Sequence, residues 1–154
     1  MMRTLSKALF LLFGVIAITR LAALVVSRRL DEGTEVSDEV RRVVLFDGLE
    51  FESRAGGLRN AEISVVMGSA RVDLRHADID PGGAILLLEN TLGGLMVHVR
   101  DDWAVTVDDV LVGGGEVEVR VTPPDELPVD APRLNVQAIT RLGGTVITSR
   151  DPGA

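Results

Sequence analysis

Few side chains in this sequence could do chemistry, and their spacing says which chemistry is within reach. Histidine occurs twice, as His76 directly after Arg75 and as His98 two residues before Arg100, and cysteine does not occur at all. Neither histidine has a cysteine partner or the H-E-x-x-H spacing that sets two imidazoles on one helix face for zinc. Zinc hydrolysis and Ser/His nucleophilic catalysis therefore have no residues to carry them, and both histidines are expected at the surface. Without cysteine there is also no disulfide framework, thiolate metal site or thiol nucleophile. Two acidic pairs, Asp101-Asp102 and Asp108-Asp109, would serve calcium only if loops gathered them, and they lack the ligand spacing of an EF-hand or a glycine-rich nonapeptide. The plainer expectation is a solvated edge whose charge discourages association of exposed strands. Gly113-Gly114-Gly115 is followed by strand-like alternation rather than a helix, so it is no phosphate cradle. No P-loop, GxSxG or dinucleotide fingerprint is present. The expectation is a non-enzymatic chain with no catalytic residues, cofactor or metal. Trp103, the sole tryptophan, lies in alternation with Val105 and Val107 and reads either as core packing or as an anchor for a partner.

The elements that would position these residues are announced by a repeat. The pattern apolar, Gly, Gly, any, any, apolar, polar occurs in full at Leu92-Gly93-Gly94-Leu95-Met96-Val97-His98, at Val112-Gly113-Gly114-Gly115-Glu116-Val117-Glu118 and at Leu142-Gly143-Gly144-Thr145-Val146-Ile147-Thr148. Degraded copies, each keeping one glycine, begin at Met67 (with Gly68) and at Phe46 (with Gly48). The first column is always apolar (Phe46, Met67, Leu92, Val112, Leu142), as is the sixth (Phe51, Val72, Val97, Val117, Ile147). The seventh is always polar (Glu52, Asp73, His98, Glu118, Thr148).

Residues 8–26, ALFLLFGVIAITRLAALVV, are broken only by Thr19 and Arg20. At about 1.5 Å per residue they would span roughly 28 Å as a helix, close to bilayer thickness. They read as a membrane anchor, with a cleaved signal peptide as the rival. Arg3 and Lys7 before the span against Arg28, Arg29, Arg41 and Arg42 after it place the C-terminal domain in the cytoplasm by the positive-inside rule. The net charge of −7 is unevenly spread: residues 1–29 carry five basic and no acidic side chains, leaving eleven against 23 and a domain at −12. That balance disfavours nucleic acid and anionic lipid as partners of the domain.

The organisation expected is thus an N-terminal membrane anchor over residues 1–29, an acidic solvated linker over 30–39 and a β domain over 40–154. Hydrophobic residues make up 46% and aromatics only 3%, so the core must be aliphatic. From Val40 onward β-branched residues alternate with polar ones between turns. The longest interval between copies, 30 residues, holds TPPDELPVDAP, with Pro123, Pro124, Pro128 and Pro132; it must be a loop, since proline cannot donate to a ladder. The reading of fold class is all-β: a short right-handed parallel β-solenoid, preceded by one transmembrane helix. Gly68, Gly93, Gly94, Gly113, Gly114, Gly143 and Gly144 would mark its corner, where layers about 4.8 Å apart leave no space for a side chain. The first and sixth columns would point inward and the seventh to solvent.

LRNAEISVVMGSARVDLRHADI, LENTLGGLMVHVRDDWAVTV and VLVGGGEVEVR resemble the C-terminal domain of LiaF-like proteins, the cell-wall-active antibiotic response family, in which apolar-Gly-Gly segments repeat and an acidic residue precedes a tryptophan, here Asp102-Trp103. The resemblance covers roughly residues 43–150. It implies a β-rich, non-enzymatic domain on a membrane protein of envelope-stress sensing, often restraining a histidine kinase, although this chain has one expected anchor where the regulator usually has several. The function expected is regulation by protein contact, with Trp103, Pro123, Pro124 and Leu127 as candidate contact residues, another membrane or envelope protein as partner, and the lipid bilayer engaged through residues 8–26. The alternative is a scaffold whose domains self-assemble end to end as a homo-oligomer.

Overall fold

The computed structural model describes residues 31–150, together with Ala22 and Val26. The anchor expected over residues 8–26 therefore lies outside the described residues apart from those two, and among the described residues no helix is long and apolar enough to cross a membrane.

Among the described residues ten strands form two parallel five-stranded sheets. The first sheet holds β1 (Glu39–Leu45), β3 (Asn60–Val66), β5 (Ala84–Thr91), β7 (Ala104–Val112) and β9 (Arg133–Arg141). The second holds β2 (Gly48–Glu52), β4 (Ser69–Asp73), β6 (Gly94–His98), β8 (Glu116–Arg120) and β10 (Gly144–Thr148). Each repeat supplies one strand to each sheet. Side chains alternate across a strand, and one face of each sheet is aliphatic: Ile63, Leu86, Leu88, Leu134 and Val136 from the first meet Val72, Leu95, Val97 and Ile147 from the second in one core. Burial of each such side chain is worth about 1.5–3 kcal/mol, and Phe51 and Trp103 add their rings to this mainly aliphatic core.

The sixth column points inward as expected at Phe51, Val72, Val97 and Ile147, all buried. The seventh does not hold. His98 and Thr148 are buried, because these positions end their strands at a second bend, where the next residue is also inside in three repeats (Ser53, Leu74, Val99) and alternation stops. The expectation of His98 at the surface is corrected accordingly, and its Nδ1 has no hydrogen-bond partner among the described residues. His76 is exposed, with Nδ1 3.3 Å from Glu52.

The repeats do not stack in chain order. The sheets run β1-β3-β5-β9-β7 and β2-β4-β6-β10-β8, so the fifth repeat is inserted between the third and the fourth. A buried amide accounts for the choice. Asn90 Nδ2 donates to Gly144 O at 2.8 Å, Gly93 O at 3.0 Å and Thr145 Oγ1 at 3.3 Å, and the Thr140 and Thr145 hydroxyls are 2.8 Å apart. In the fourth repeat the residues in register with Thr140 and Thr145 are Leu111 and Val117. Stacked on the third repeat, they would put hydrocarbon where the two hydroxyls stand and take away the Thr145 acceptor, costing about 1–3 kcal/mol per unsatisfied group. The fifth repeat brings hydroxyls instead. The proline-bearing loop, with its 3-10 turn at Pro124–Glu126, is the return path from the outermost repeat, which explains the longest interval.

The solvated linker expected over residues 30–39 also folds back: Glu32 pairs with Arg41, Thr34 and Ser37 close a turn, and β1 begins at Glu39.

Two outcomes test this account. Gly143→Ala would place its Cβ 2.4 Å from Gly93 O and should destabilise by about 2–3 kcal/mol, whereas Gly144→Ala, with nothing within 4 Å, should fall within about 0.5 kcal/mol of the parent in urea denaturation. Thr145→Val removes a partner of both Asn90 and Thr140 and should cost about 1–3 kcal/mol in the same assay.

Candidate partner-binding surface

The bend joining the sheets is where structure and sequence expectation differ most. The first-column residues were expected inside; instead Phe46, Met67, Leu92 and Leu142 point outward, 38% to 57% exposed. All four adopt the left-handed conformation, with φ of +57°, +51°, +55° and +50°. The positive φ of this bend thus belongs to the residue before the close-approach position. These side chains are aligned: Phe46, Met67, Leu92 and Leu142 donate their N–H groups to Val66, Thr91, Arg141 and Val112 O at 2.8–3.2 Å. At about 4.8 Å per layer they form an apolar ridge roughly 14 Å long.

The next position carries the close approach. A Cβ at Gly68, Gly93 or Gly143 would lie 2.3–2.5 Å from the carbonyl oxygen of Asp47, Gly68 or Gly93 respectively. Gly113 does not belong to this column. Val112 pairs with Arg141 within the strand, so Gly113 occupies the left-handed position at φ +67° and packs beside the Leu142 side chain. Gly114 is an inserted residue, and Gly115 precedes Glu116, whose partner is Gly144. The fourth copy is consequently out of register: Val119, not Val117, pairs with Ile147. Gly94 and Gly144 follow the bend and open a bare stripe with Gly48 and Ser69. This stripe floors a groove of about 510 Å³ on the second sheet, with Met96 and Val146 along it.

The other candidate contacts are placed as follows. Trp103 is 1% exposed and belongs to the core, where alternation puts it with Val105; it presents no face to a partner, and that part of the contact expectation is corrected. Pro123 and Pro124 are exposed and Leu127 half-buried in the return loop. The acidic pairs are not gathered: Asp102 holds the Arg100 guanidinium at 2.6 Å, and Arg100 also reaches Asp78 at 3.2 Å. Among the described residues no group of three or more His, Cys, Asp or Glu could hold a metal ion. The nearest thing to a tuned ionisable group is Asp73, whose pKa is held below the usual carboxylate range chiefly by the Arg75 hydrogen bond, 2.7 Å at its shortest.

No protein family, curated protein or solved structure matches the chain.

Sequence reasoning missed the ridge, yet a signal was there. Four first-column residues are unbranched at Cβ, while the exception, Val112, is β-branched, and branching makes a positive φ a genuine outlier. Val112 is the one that stays in its strand.

A depressed folded-state pKa contributes stability above the ordinary carboxylate pKa and loses it as pH falls through the folded value. Thermal midpoints between pH 5 and pH 2 should therefore fall less steeply for Asp73→Asn than for the parent, and parallel curves would remove Asp73 from the acid response.

Proposed function

We propose that this chain is a non-enzymatic, membrane-anchored regulatory or sensory protein that acts by protein contact, in the manner of the LiaF-like envelope-stress domains it resembles. Residues 8–26 engage the bilayer, the domain lies on the cytoplasmic side, and the partner is another membrane or envelope protein, with a histidine kinase first among the candidates that the resemblance suggests. On this reading the two sheets are a short right-handed β-solenoid with its last repeat interleaved. Right-handed winding is the expected hand for parallel strands joined by crossovers.

The observation that carries the proposal is the ridge. A left-handed residue with a Cβ costs about 1–2 kcal/mol, and Gly or Asn would relieve it. Four large apolar side chains at such positions, mostly out of the core, leave a cost unexplained by folding. Strain held at a surface points to function, and an aligned apolar strip beside a groove has the form of a contact site.

The self-assembling scaffold is the weaker reading, because head-to-tail stacking needs both ends of the stack open. At the first repeat Arg42 lies over the Phe51 ring, 4.7 Å from its centroid, and donates to Glu32 and Gly33 O. That end is covered.

The test places a photoreactive amino acid at Met67 on the ridge, or at exposed Ile85 on the first sheet, in the full chain within its own membrane. An adduct with a membrane protein is expected from Met67 alone. The Leu92→Asn/Leu142→Asn variant should lose that adduct without a lowered thermal midpoint, since Asn tolerates the left-handed region. Equal adducts from both faces, or an adduct that persists in the double variant, would overturn the proposal.

A further inference from the structure

The two ends of the stack are finished differently. At the first repeat, the open side of β1 is occupied: Arg41 and Glu32 exchange N–H···O bonds of 2.9 Å, and the Val43 N–H donates to Asp31 Oδ1 at 2.9 Å. At the other end β7 and β8 are the last strands of their sheets. Ala104 N–H donates to Pro132 O and Val112 O accepts from Leu142 N–H, both on the β9 side. By strand alternation the N–H and C=O groups of Val105, Val107, Asp109 and Leu111 then face away from β9. Among the described residues no loop hydrogen bond reaches these four.

The side chains on this end are equally unfinished. Leu111 and Val119 are in register with Thr140 and Ile147, which are fully buried, yet are themselves 49% and 44% exposed. They are core positions without a covering layer. Around them stand Asp108, Asp109, Glu116 and Glu118, and Asp109 shares the inward register of buried Ala138. The one basic residue on these strands, Arg120, already pairs with Glu118 at 2.6 Å.

We infer that the β7–β8 end is a docking edge for an extended, basic segment of a partner protein, which adds to β7 as one more strand. The inference rests on the reading that this domain acts by protein contact, but uses a different surface from the ridge. Strand addition supplies the missing backbone partners, while pockets for alternate side chains give selectivity. Here the incoming strand's apolar residues would cover Val107 and Leu111, and a Lys or Arg between them would meet Asp109. The same carboxylate rejects a second copy: two such ends brought together would bury Asp109 beside its counterpart, and two like charges taken out of water together repel and lose their hydration. The charge therefore selects a cationic partner strand over self-association.

The experiment uses the full chain in detergent micelles with a fluorescein-labelled probe peptide of alternating Val and Lys, seven residues long by design, read by anisotropy. Saturable binding is expected, reduced at least tenfold by Asp109→Asn, and absent for the Val/Glu counterpart and for a peptide of the same composition interrupted by proline. Sedimentation should show no more than one chain per micelle. Equal binding of the proline-interrupted peptide would reduce the effect to bulk charge and overturn the inference. So would no binding at all, or self-association of the chain through this end. Leu92→Asn/Leu142→Asn should leave peptide binding unchanged; absence of a Met67 adduct in the parent chain with peptide binding retained would strike the contact reading of the ridge alone, and a Met67 adduct without peptide binding the edge alone.

Discussion

The fold depends on backbone lying directly on backbone at one bend. Parallel strands separate by about 4.8 Å, and at this bend the carbonyl of one layer points at the α-carbon of the next, so that a Cβ on Gly93 would sit 2.5 Å from Gly68 O and one on Gly143 would sit 2.4 Å from Gly93 O. Only a residue without a side chain fits such a column beyond its first member, where Asp47 stands. The bend also forces the preceding residue into the left-handed region, which throws its side chain outward. One contact therefore sets two features that the sequence presents side by side: glycines that cannot carry a Cβ and an apolar residue that cannot be buried.

That coupling explains what was legible. Copies at Phe46, Met67, Leu92 and Leu142 announce the strands, the bends and the inward sixth column, because each follows from strict alternation after a steric landmark. Burial of the first column does not follow from alternation, because the left-handed residue at the bend breaks the period of two. Alternation also stops at the second bend, where His98 and Thr148 are buried. The fourth copy was misaligned for another reason: Gly113-Gly114-Gly115 offers several ways to match two glycines, and only the three-dimensional pairing of Glu116 with Gly144 shows that one residue is inserted.

Layer order was not legible from periodicity, since every repeat has the same shape to a neighbour. What distinguishes them is polar. Asn90 sits in an interior column between Val65 and Thr140, where a repeat offering only hydrocarbon is penalised. A single buried amide can thus favour one register and neighbour, as polar residues do in coiled coils, and here it favours the order that brings the Thr145 hydroxyl to it. Its Oδ1 still has no partner among the described residues, so the specificity is obtained with an incompletely satisfied group.

Placing the fourth repeat outermost has a further consequence. Had the repeats stacked in chain order, the last layer would have been β9 and β10, whose inward residues include Thr140 and Thr145, cut off from Asn90 by the fourth repeat and paired only with each other. The exchange sends Leu111, Val117 and Val119 to the end instead, together with Asp108 and Asp109, while the polar layer is sealed within. An outermost layer with apolar inward positions and an inward-facing carboxylate is poorly suited to meeting its own copy, because hydrophobic gain and charge repulsion oppose one another there. It suits a partner in which an apolar strand also carries a cation, where the two contributions have the same sign. The residue that orders the layers therefore also determines which chemistry the open end presents.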